Sequence, residues 1–448
     1  MLFSAHIKIY LIAGGYGMSK ITFDKDFLFG VAGASFQFLG CGNSPQVNWC
    51  FKSQTPGVAD GLSSGKACDF WKYLPDDIKR MKDLGVKAFR FSFEWADVEP
   101  EQGKIDAAAI ERYHKFFAEL AQAQIEPWMT LHHFTQPKWF EDRGGFECED
   151  NVIYFIDFCK LMVREFGDKV TWWGTFNEPG IYVMQSYING KWVPGKNCLK
   201  SAGFVLKNML QTHVRLYKEL KEINPAIKIG FMHNIMPFHP YTKWNLFERI
   251  YCYYANHVLH DSITNFFKNG LFSFKVPFKV SIQANNIDAP LSYDFFGMNY
   301  YTSFMMRMRL SFKKMFSMEC HTLVEKNDER YCVHSEGLYH AIKKIHKEIT
   351  GPRNIPIYIT ENGIADTQDY YRATFIEHTL KALHRAVEEK CDVRGYFYWS
   401  LLDNFEWDEG YAKRFGLYEV DFETQERKLR KGAQVFKDIV HNTYKKGR

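Results

Sequence analysis

The sequence has few of the features that mark metal, redox, membrane or nucleotide-binding proteins. Its ten cysteines include no C-x-x-C pair, and no histidine cluster has zinc spacing, so no metal site is predicted. It has no apolar run of about 18 residues, so no transmembrane helix is expected. No glycine-rich phosphate motif follows the first predicted strand, and no cofactor is predicted. Scattered cysteines are typical of free thiols in a reducing compartment, which favours a cytoplasmic protein.

The sequence also lacks a strong excess of charge of one sign. Lys and Arg number 57 against 52 Asp and Glu, a formal net charge of +5. Two short basic clusters, SFKKMF (311–316) and RKLRKG (427–432), are interpreted as solvated surface. Because no nucleic-acid-binding motif accompanies them, no nucleic-acid partner is predicted.

The first 17 residues are ambiguous. Lys8 precedes a short apolar run that ends in small residues, a pattern weakly similar to a signal peptide. Met18 opens a more conventional start, MSKITFDKDFLFG. We therefore predict an N-terminal extension over 1–17 and a single domain over 18–448, with secretion as the alternative.

What the sequence does contain is an alternation of short apolar runs with longer stretches of helical periodicity. The runs predicted as strands are 27–37, 86–95, 125–134, 170–178, 227–234, 293–301, 355–362 and 393–401. The helix-like stretches are 75–84, 106–124, 150–167, 201–222, 337–350 and 369–390, and the first of them is predicted to begin at Pro75.

Eight alternating units predict an α/β fold in which parallel strands close into a single (β/α)8 TIM barrel with elaborated βα loops. An open doubly wound sheet is the alternative, which the missing phosphate motif disfavours. The segment 302–336 is polar, Met-rich and basic, and it is predicted to form a long loop at the active-site entrance. Oligomeric state is left open.

Side chains that perform chemistry in such a barrel lie at the carboxyl ends of the strands. The predicted ends carry, in order, Gln37, Arg90, His133, Asn177 with Glu178, Asn234, Tyr301, Glu361 and Trp399. Each alone has an ordinary structural explanation, but turn chemistry does not explain a hydrogen-bonding group at every end. Glu178 and Glu361 stand out, because strands four and seven face each other across a ring of eight. Two facing acids are what glycosidic bond cleavage needs.

Five motifs in sequence order resemble glycoside hydrolase family 1. They are FRFSFEWADVEPEQGKID (89–106), TLHHFTQPKWF (130–140), TFNEP (175–179), ITENG (359–363) and YFYWSLLDNFEWDEGYAKRFGLYEVDF (396–422). The likeness runs from about residue 23 to 440. It implies a β-glucosidase-like hydrolase of carbohydrate metabolism whose partner is a small-molecule β-glycoside.

The resemblance also implies a retaining mechanism on terminal non-reducing β-D-glucosides, with β-galactosides and β-fucosides as open alternatives. Glu361 would be the nucleophile that forms a covalent glycosyl-enzyme, and Glu178 the general acid/base. Retaining enzymes hold these two carboxyl groups about 5–5.5 Å apart. Arg90 and Tyr301 would keep Glu361 ionised, and Asn177 would bind the sugar 2-hydroxyl.

Further residues match the family's sugar-binding positions or lie on the leaving-group side: Gln37, His133, Trp399, Glu406, Trp407, Phe415, Asn234 and Asn299. Two stretches depart from the family pattern. SFQFLGCGNSPQVNW (35–49) lacks the usual Ile-Glu-Gly after its Gln, and HHFTQP (132–137) replaces Tyr-His-Trp-Asp-Leu-Pro. Both changes flank the expected cleft and leave the choice of sugar less defined.

Three other functions are considered. A 6-phospho-β-glucosidase is disfavoured, because Glu406 would repel the phosphate. A transglycosidase stays open, since an acceptor alcohol competes with water for the same intermediate. A catalytically silent sugar-binding homologue would have lost a catalytic Glu, whereas both Glu178 and Glu361 are present.

Overall fold

The computed structural model describes residues 21–54, 63–309, 316–320 and 333–445. The extension predicted over 1–17 and most of the basic cluster at 311–316 lie outside the described residues. The division of the chain at Met18 therefore stays a prediction.

Eight parallel strands form a closed barrel, which confirms the predicted architecture and excludes the open sheet. They are Leu28–Ala32, Ala88–Ser92, Glu126–His132, Trp172–Asn177, Lys228–Asn234, Phe295–Asn299, Ile357–Asn362 and Val393–Trp399. The first strand pairs with the eighth, from Leu28 opposite Gly395 to Ala32 opposite Trp399, and this pairing closes the ring.

Helices alternate with these strands. The α-helices are Ser35–Asn43, Phe70–Leu84, Trp95–Val98, Ala107–Gln122, Lys138–Asp142, Val152–Phe166, Pro179–Val183, Leu199–Ile223, Leu246–Asn256, Ser262–Asn269, Ser335–Ile345, Arg372–Glu388 and Ala433–Lys445. Among the described residues, no helix is both long enough and apolar enough to cross a membrane. All six predicted helices are present, with shifted boundaries.

The helix that precedes barrel strand two begins at Phe70, so its predicted start at Pro75 is wrong. The ring of Phe70 packs against Phe91 at 4.6 Å between centroids, and Trp71 packs against Tyr113 at 5.3 Å. Burial of these rings extends the helix through a proline, although proline cannot donate a backbone hydrogen bond.

Two excursions leave the simple alternation. After barrel strand five, the helices Leu246–Asn256 and Ser262–Asn269 lead into a hairpin of Leu271–Val276 and Val280–Asn285, and none of these elements was predicted. Within the predicted loop 302–336, Phe304–Met308 pairs with both Phe316–Cys320 and Phe238–Pro240. The loop prediction is wrong for these strands, which form a small three-stranded sheet.

Aromatic side chains fill the barrel below its polar end. The ring of Trp128 lies 5.3 Å from Phe295, 4.7 Å from Tyr358 and 5.0 Å from Phe397. All four side chains are buried, and each precedes the candidate site residue at the carboxyl end of its own strand. This apolar plug keeps water away from the lower side of the polar cluster above it.

One cysteine pair departs from the expectation of free thiols. Cys41 and Cys50 form a disulfide with Cα atoms 5.5 Å apart. Six other described cysteines are free: Cys68, Cys148, Cys159, Cys198, Cys252 and Cys391. The cysteine pattern therefore no longer favours a reducing compartment by itself.

Candidate active site

Most candidate residues lie at the carboxyl ends of the barrel strands, as predicted. Asn177, Asn234, Asn299 and Trp399 are the last residues of their strands, Glu361 is next to last, and Glu178, His133 and Tyr301 follow within two residues. The barrel therefore collects residues that are far apart in the chain at one end.

Two candidates reach this cluster from other places. Arg90 is the middle residue of Ala88–Ser92, and its long side chain extends to the strand ends. Gln37 was predicted at the end of strand one, but it lies in the helix Ser35–Asn43. The strand ends at Ala32, although the Gly33 N–H still donates to the Arg90 carbonyl of the neighbouring strand at 2.9 Å, and the helix begins two residues later at Ser35.

Glu361 is held by a cation and a hydroxyl. Arg90 Nη1 donates to Glu361 Oε1, and the Tyr301 hydroxyl donates to Oε2 at 2.7 Å. The side chains of both Arg90 and Glu361 are almost fully buried. Each carboxylate oxygen therefore has its own donor, and the negative charge is balanced inside the barrel.

Glu178 is held by neutral amides instead. Asn234 Nδ2 and Asn299 Nδ2 both donate to Glu178 Oε1, at 2.9 Å and 2.7 Å. Burial and the negative charge of Glu361 raise the pKa of Glu178 to about 8, against the opposing effect of the two amides. The raised pKa favours the protonated form of Glu178 at neutral pH, and Oε2 accepts no hydrogen bond from the described residues, so it can hold the proton.

The backbone at Glu178 is strained. Its φ of 42° and ψ of 58° lie in the left-handed region, directly before the helix Pro179–Val183. The Glu178 N–H donates to the Met232 carbonyl at 2.9 Å and fixes this conformation. Such strain persists where surrounding contacts enforce it, most often at functional sites.

Asn177 joins the two acids through a chain of hydrogen bonds. Its Oδ1 accepts from Arg90 Nη2 at 2.7 Å and from Asn299 Nδ2 at 3.1 Å. Because Arg90 also contacts Glu361 and Asn299 also contacts Glu178, the chain is continuous from one carboxyl group to the other.

His133 lies beside this chain in its neutral form. Its Nε2 is 3.3 Å from Asn177 Nδ2, and its ring stacks near Trp399 and Trp407 with centroids 5.7 Å and 6.2 Å away. Burial, together with the charge of Arg90, holds the His133 pKa well below its usual range. Within the described part of the chain, His133 Nδ1 has no hydrogen-bond partner.

Gln37 and Glu406 form a second polar pair. Gln37 Nε2 donates to Glu406 Oε2 at 3.0 Å, to Asn404 Oδ1 at 2.9 Å and to the Phe405 carbonyl at 2.9 Å. Burial first and Glu361 second raise the pKa of Glu406 to about 8. Gln37 Oε1 is buried and accepts no bond from the described residues, so it is available to a ligand.

Aromatic rings border the cluster on two sides. The Trp407 ring lies 5.0 Å from Trp49 and 5.3 Å from Trp192, whose indole N–H donates to Asp408 at 2.6 Å. The Phe415 ring lies 6.0 Å from Tyr301. Trp407 and Phe415, both predicted to contact the sugar, therefore lie beside the cluster, whereas Trp49 and Trp192 were not singled out.

Sequence reasoning also missed two polar residues that orient the others. Thr360 donates its hydroxyl to Asn299 Oδ1 at 2.6 Å, and Asn404 accepts from Gln37. Thr360 lies directly before Glu361 in the motif ITENG (359–363). Asn404 lies two residues before Glu406 in the long motif at 396–422. A search for hydroxyl and amide residues that flank these acids would have found them.

The arrangement suits proton transfer and nucleophilic attack. Glu178 is buried with its pKa raised, which favours its protonated form, and Glu361 is paired with a guanidinium. Among the residues that the structure describes, no group of three or more His, Cys, Asp or Glu is placed to hold a metal ion.

Known proteins match nearly the whole chain. The family model of glycosyl hydrolase family 1 matches residues 19–445. Beta-glucosidase A of Acetivibrio thermocellus is 31% identical over 456 aligned positions, which cover 95% of this chain and 99% of that protein.

Solved structures agree with this match. A beta-glycosidase from Pyrococcus horikoshii superposes with a TM-score of 0.83 at 35% identity, covering 94% of this chain and 95% of that one. A beta-glucosidase from Thermotoga maritima in complex with deoxynojirimycin gives a TM-score of 0.83 at 28% identity, with 94% and 99% covered. Together with the order of the motifs and the barrel, these matches confirm the resemblance: the chain belongs to glycosyl hydrolase family 1 and is a glycoside hydrolase of the β-glycosidase type.

Proposed function

We propose that this enzyme hydrolyses terminal non-reducing β-D-glucosides with retention of anomeric configuration. Glu361 is the nucleophile, and Glu178 is the general acid/base. The observation that carries the proposal is the continuous hydrogen-bond chain from Glu178 to Glu361, with a proton favoured on one acid and a cation on the other.

The reaction proceeds in two displacements. Glu361 attacks the anomeric carbon while Glu178 protonates the departing oxygen, which gives a covalent glycosyl-enzyme and a free aglycone. Esterification removes the charge of Glu361, and with it one of the causes that raise the Glu178 pKa. The Glu178 pKa then falls, so that Glu178 can deprotonate the water that releases the sugar.

The remaining contacts hold the sugar. Asn177 lies between the two acids, where it meets the 2-hydroxyl, and this contact strengthens in the transition state. The free atoms Gln37 Oε1 and His133 Nδ1 are an acceptor and a donor for sugar hydroxyls. Trp399 offers an aromatic face to the C–H side of the ring, and Glu406 and Phe415 border its far end.

A neutral sugar is favoured over a 6-phosphorylated one. Glu406 lies in the buried cluster beside Gln37, and its carboxyl group carries no positive charge in either protonation state, so it offers a phosphate no ion pair. The preference for glucose over galactose or fucose depends on contacts between the sugar hydroxyls and this buried cluster. The names of the relatives favour glucose.

The test is a panel of p-nitrophenyl β-glucoside, β-galactoside, β-fucoside and 6-phospho-β-glucoside, with the first product followed by proton NMR. We expect the largest kcat/KM on the glucoside and a β-configured first product. An α-configured product would contradict the assignment of Glu361 as nucleophile, and sugar binding without turnover would indicate a silent homologue. Added alcohols that divert most of the product into new glycosides would indicate a transglycosidase.

A cytoplasmic location stays a prediction, although the cysteine pattern no longer favours it by itself. The Cys41–Cys50 bridge is of a kind found in oxidising compartments. Alkylation of the protein in freshly lysed cells, followed by mass spectrometry, decides between a reducing and an oxidising compartment. Label on both Cys41 and Cys50 supports the cytoplasm.

A further inference from the structure

A group of large apolar side chains is exposed along the segment that follows barrel strand five. Trp244 is 86% exposed, and Tyr253 is 62% exposed. We call this group the apolar face; it consists of Tyr241, Trp244, Leu246, Phe247, Ile250 and Tyr253. Contiguous exposed apolar groups of this kind mark interaction sites more often than chance.

The helix Leu246–Asn256 carries most of the apolar face, and its apolar side is exposed where such a side is usually buried. Leu246, Ile250 and Tyr253 have the spacing of one helix face, and that face points to solvent. The opposite side buries Glu248 and Cys252. A surface helix normally turns its apolar side inward, so this outward face is left without a partner among the described residues.

The apolar face rests on a fixed support. The buried Glu248 carboxylate accepts from the Thr242 N–H at 2.6 Å and from the Met308 N–H at 2.8 Å. Tyr251, on the same helix, stacks on Phe316 at 4.4 Å between centroids. These contacts join the helix to the three-stranded sheet, so its outward rings are held in place.

The apolar face lies at the active-site end of the barrel. The segment leaves barrel strand five at Asn234, whose amide contacts Glu178. Phe238–Pro240 then pairs with Phe304–Met308, which follows Tyr301 closely in the chain. The face therefore lies at the active-site end of the barrel, on the side of strands five and six, whose Asn234 and Asn299 are expected on the leaving-group side.

Positive charge surrounds the apolar face. Lys243 and Arg249 are exposed within it, and the Arg307 guanidinium lies 4.6 Å from the centroid of the Tyr241 ring. Of the nearby acids, Glu248 is buried in backbone hydrogen bonds, and Glu319 is paired with Arg309. Exposed aromatic and aliphatic groups interspersed with Lys and Arg match the headgroup region of an anionic bilayer.

We propose that the apolar face docks this enzyme on the surface of an anionic lipid bilayer. Trp244, Leu246 and Phe247 enter the headgroup and acyl boundary, and Lys243 and Arg249 pair with lipid phosphates. Docking brings the leaving-group side of the active site next to the membrane, where glycosides with long apolar aglycones reside.

The test is cosedimentation of the full chain with vesicles of phosphatidylcholine alone or with one third phosphatidylserine. We expect binding to the mixed vesicles that weakens with added salt. The triple variant Trp244→Ser, Leu246→Ser, Phe247→Ser should lose at least ten-fold in partitioning, and Lys243→Glu with Arg249→Glu should lose the preference for phosphatidylserine.

The matched control is Ile287→Ser with Leu291→Ser. Both residues are highly exposed and apolar, but they precede barrel strand six and so lie at the opposite end of the barrel. The control should bind like the parent, and all variants should keep the parent's turnover of a water-soluble aryl glucoside. Absence of binding by the parent, or equal binding by the triple variant, overturns the proposal. A parent dimer that the triple variant converts to a monomer would assign the face to a second copy instead.

Discussion

The two carboxyl groups of the site lie in unlike surroundings within one small region. Glu361 has Arg90 and the Tyr301 hydroxyl as donors, one to each oxygen. Glu178 has two amide donors on a single oxygen and no cation in direct contact among the described residues. Both are buried, so exposure does not distinguish them.

The difference teaches how one barrel obtains two roles from one residue type. A guanidinium stabilises the anionic form of Glu361, which a nucleophile needs, while burial with only neutral donors leaves the proton on Glu178. The amides still favour the anion to some degree, so Glu178 can release its proton when the charge of Glu361 disappears. The comparison is therefore between an acid that contacts a guanidinium directly and an acid whose donors are neutral and whose proton can be released.

The largest expected effect comes from removing the nucleophile. Glu361→Gln should lower kcat by about 10⁵-fold for every substrate, because no covalent intermediate can form. The measurement is kcat on aryl β-glucosides with good and poor leaving groups. Loss that depends on the leaving group, or retention of most activity, would contradict the assignment.

Removal of the acid should instead give a selective loss. Glu178→Gln should slow glycosyl transfer from poor leaving groups by about 10³-fold, because the amide cannot donate a proton. A 2,4-dinitrophenyl glucoside should keep a fast first step, since its leaving group needs no proton. Pre-steady-state release of the phenol separates this step from the hydrolysis that follows.

Azide provides the control for Glu178→Gln. It attacks the glycosyl-enzyme without needing a general base, so it should accelerate turnover and yield a β-glucosyl azide. Glu361→Gln should show no such acceleration with the β-configured substrate. Equal responses of the two variants would remove the proposed difference between the acids.

A smaller effect is expected at Thr360, which acts through Asn299. The Thr360 hydroxyl donates to Asn299 Oδ1 and so turns the amide nitrogen toward Glu178. Thr360→Val should release this amide and cost about ten-fold in kcat/KM, close to the cost of one unmade buried hydrogen bond. Because the lost donor favours the Glu178 anion, the fall of kcat/KM at high pH should move to higher pH.

Thr360→Ser is the matched control, because it keeps the hydroxyl and removes only a methyl group. It should restore the pH profile of the parent, where kcat/KM falls as the pH rises through about 8 and Glu178 loses its proton. If Thr360→Val reduces activity but leaves the pH at which kcat/KM falls unchanged, Thr360 has a packing role only.

The barrel could be predicted from sequence because its signal repeats along the whole chain. Eight apolar runs alternate with helical stretches, and each run alone is weak evidence. The helix at Leu246–Asn256 was missed although Leu246, Ile250 and Tyr253 have helical spacing, because it belongs to an excursion outside the repeating alternation. The start at Phe70 was missed because ring packing outweighed the proline signal at Pro75.

The site divides in the same manner. Residues inside dense motifs were placed beside each other correctly, since Glu178, Glu361 and Asn177 share one end of the barrel. The hydrogen-bond partners of these residues could not be predicted from the sequence. Nothing in ITENG indicates that the Thr360 hydroxyl orients the amide of Asn299 on another strand. The position of Gln37 in a helix was also hidden, because the apolar run continues past the end of the strand at Ala32.

The smallest expected effect concerns stability. The change in Tm should have opposite signs for Glu178→Gln and Glu361→Gln. The pKa of Glu178 is raised on folding, so its contribution to stability is complete at low pH and is lost as the pH rises through about 8. Glu178→Gln removes this loss, and its Tm should exceed that of the parent by about 2 °C at pH 8.5, with a smaller gain at pH 5.5. Glu361→Gln should lower Tm at both pH values, because it leaves the buried Arg90 without its anion. Thermal unfolding of the three proteins at both pH values makes the comparison, and a loss of Tm for Glu178→Gln at pH 8.5 would contradict the proton assigned to Glu178.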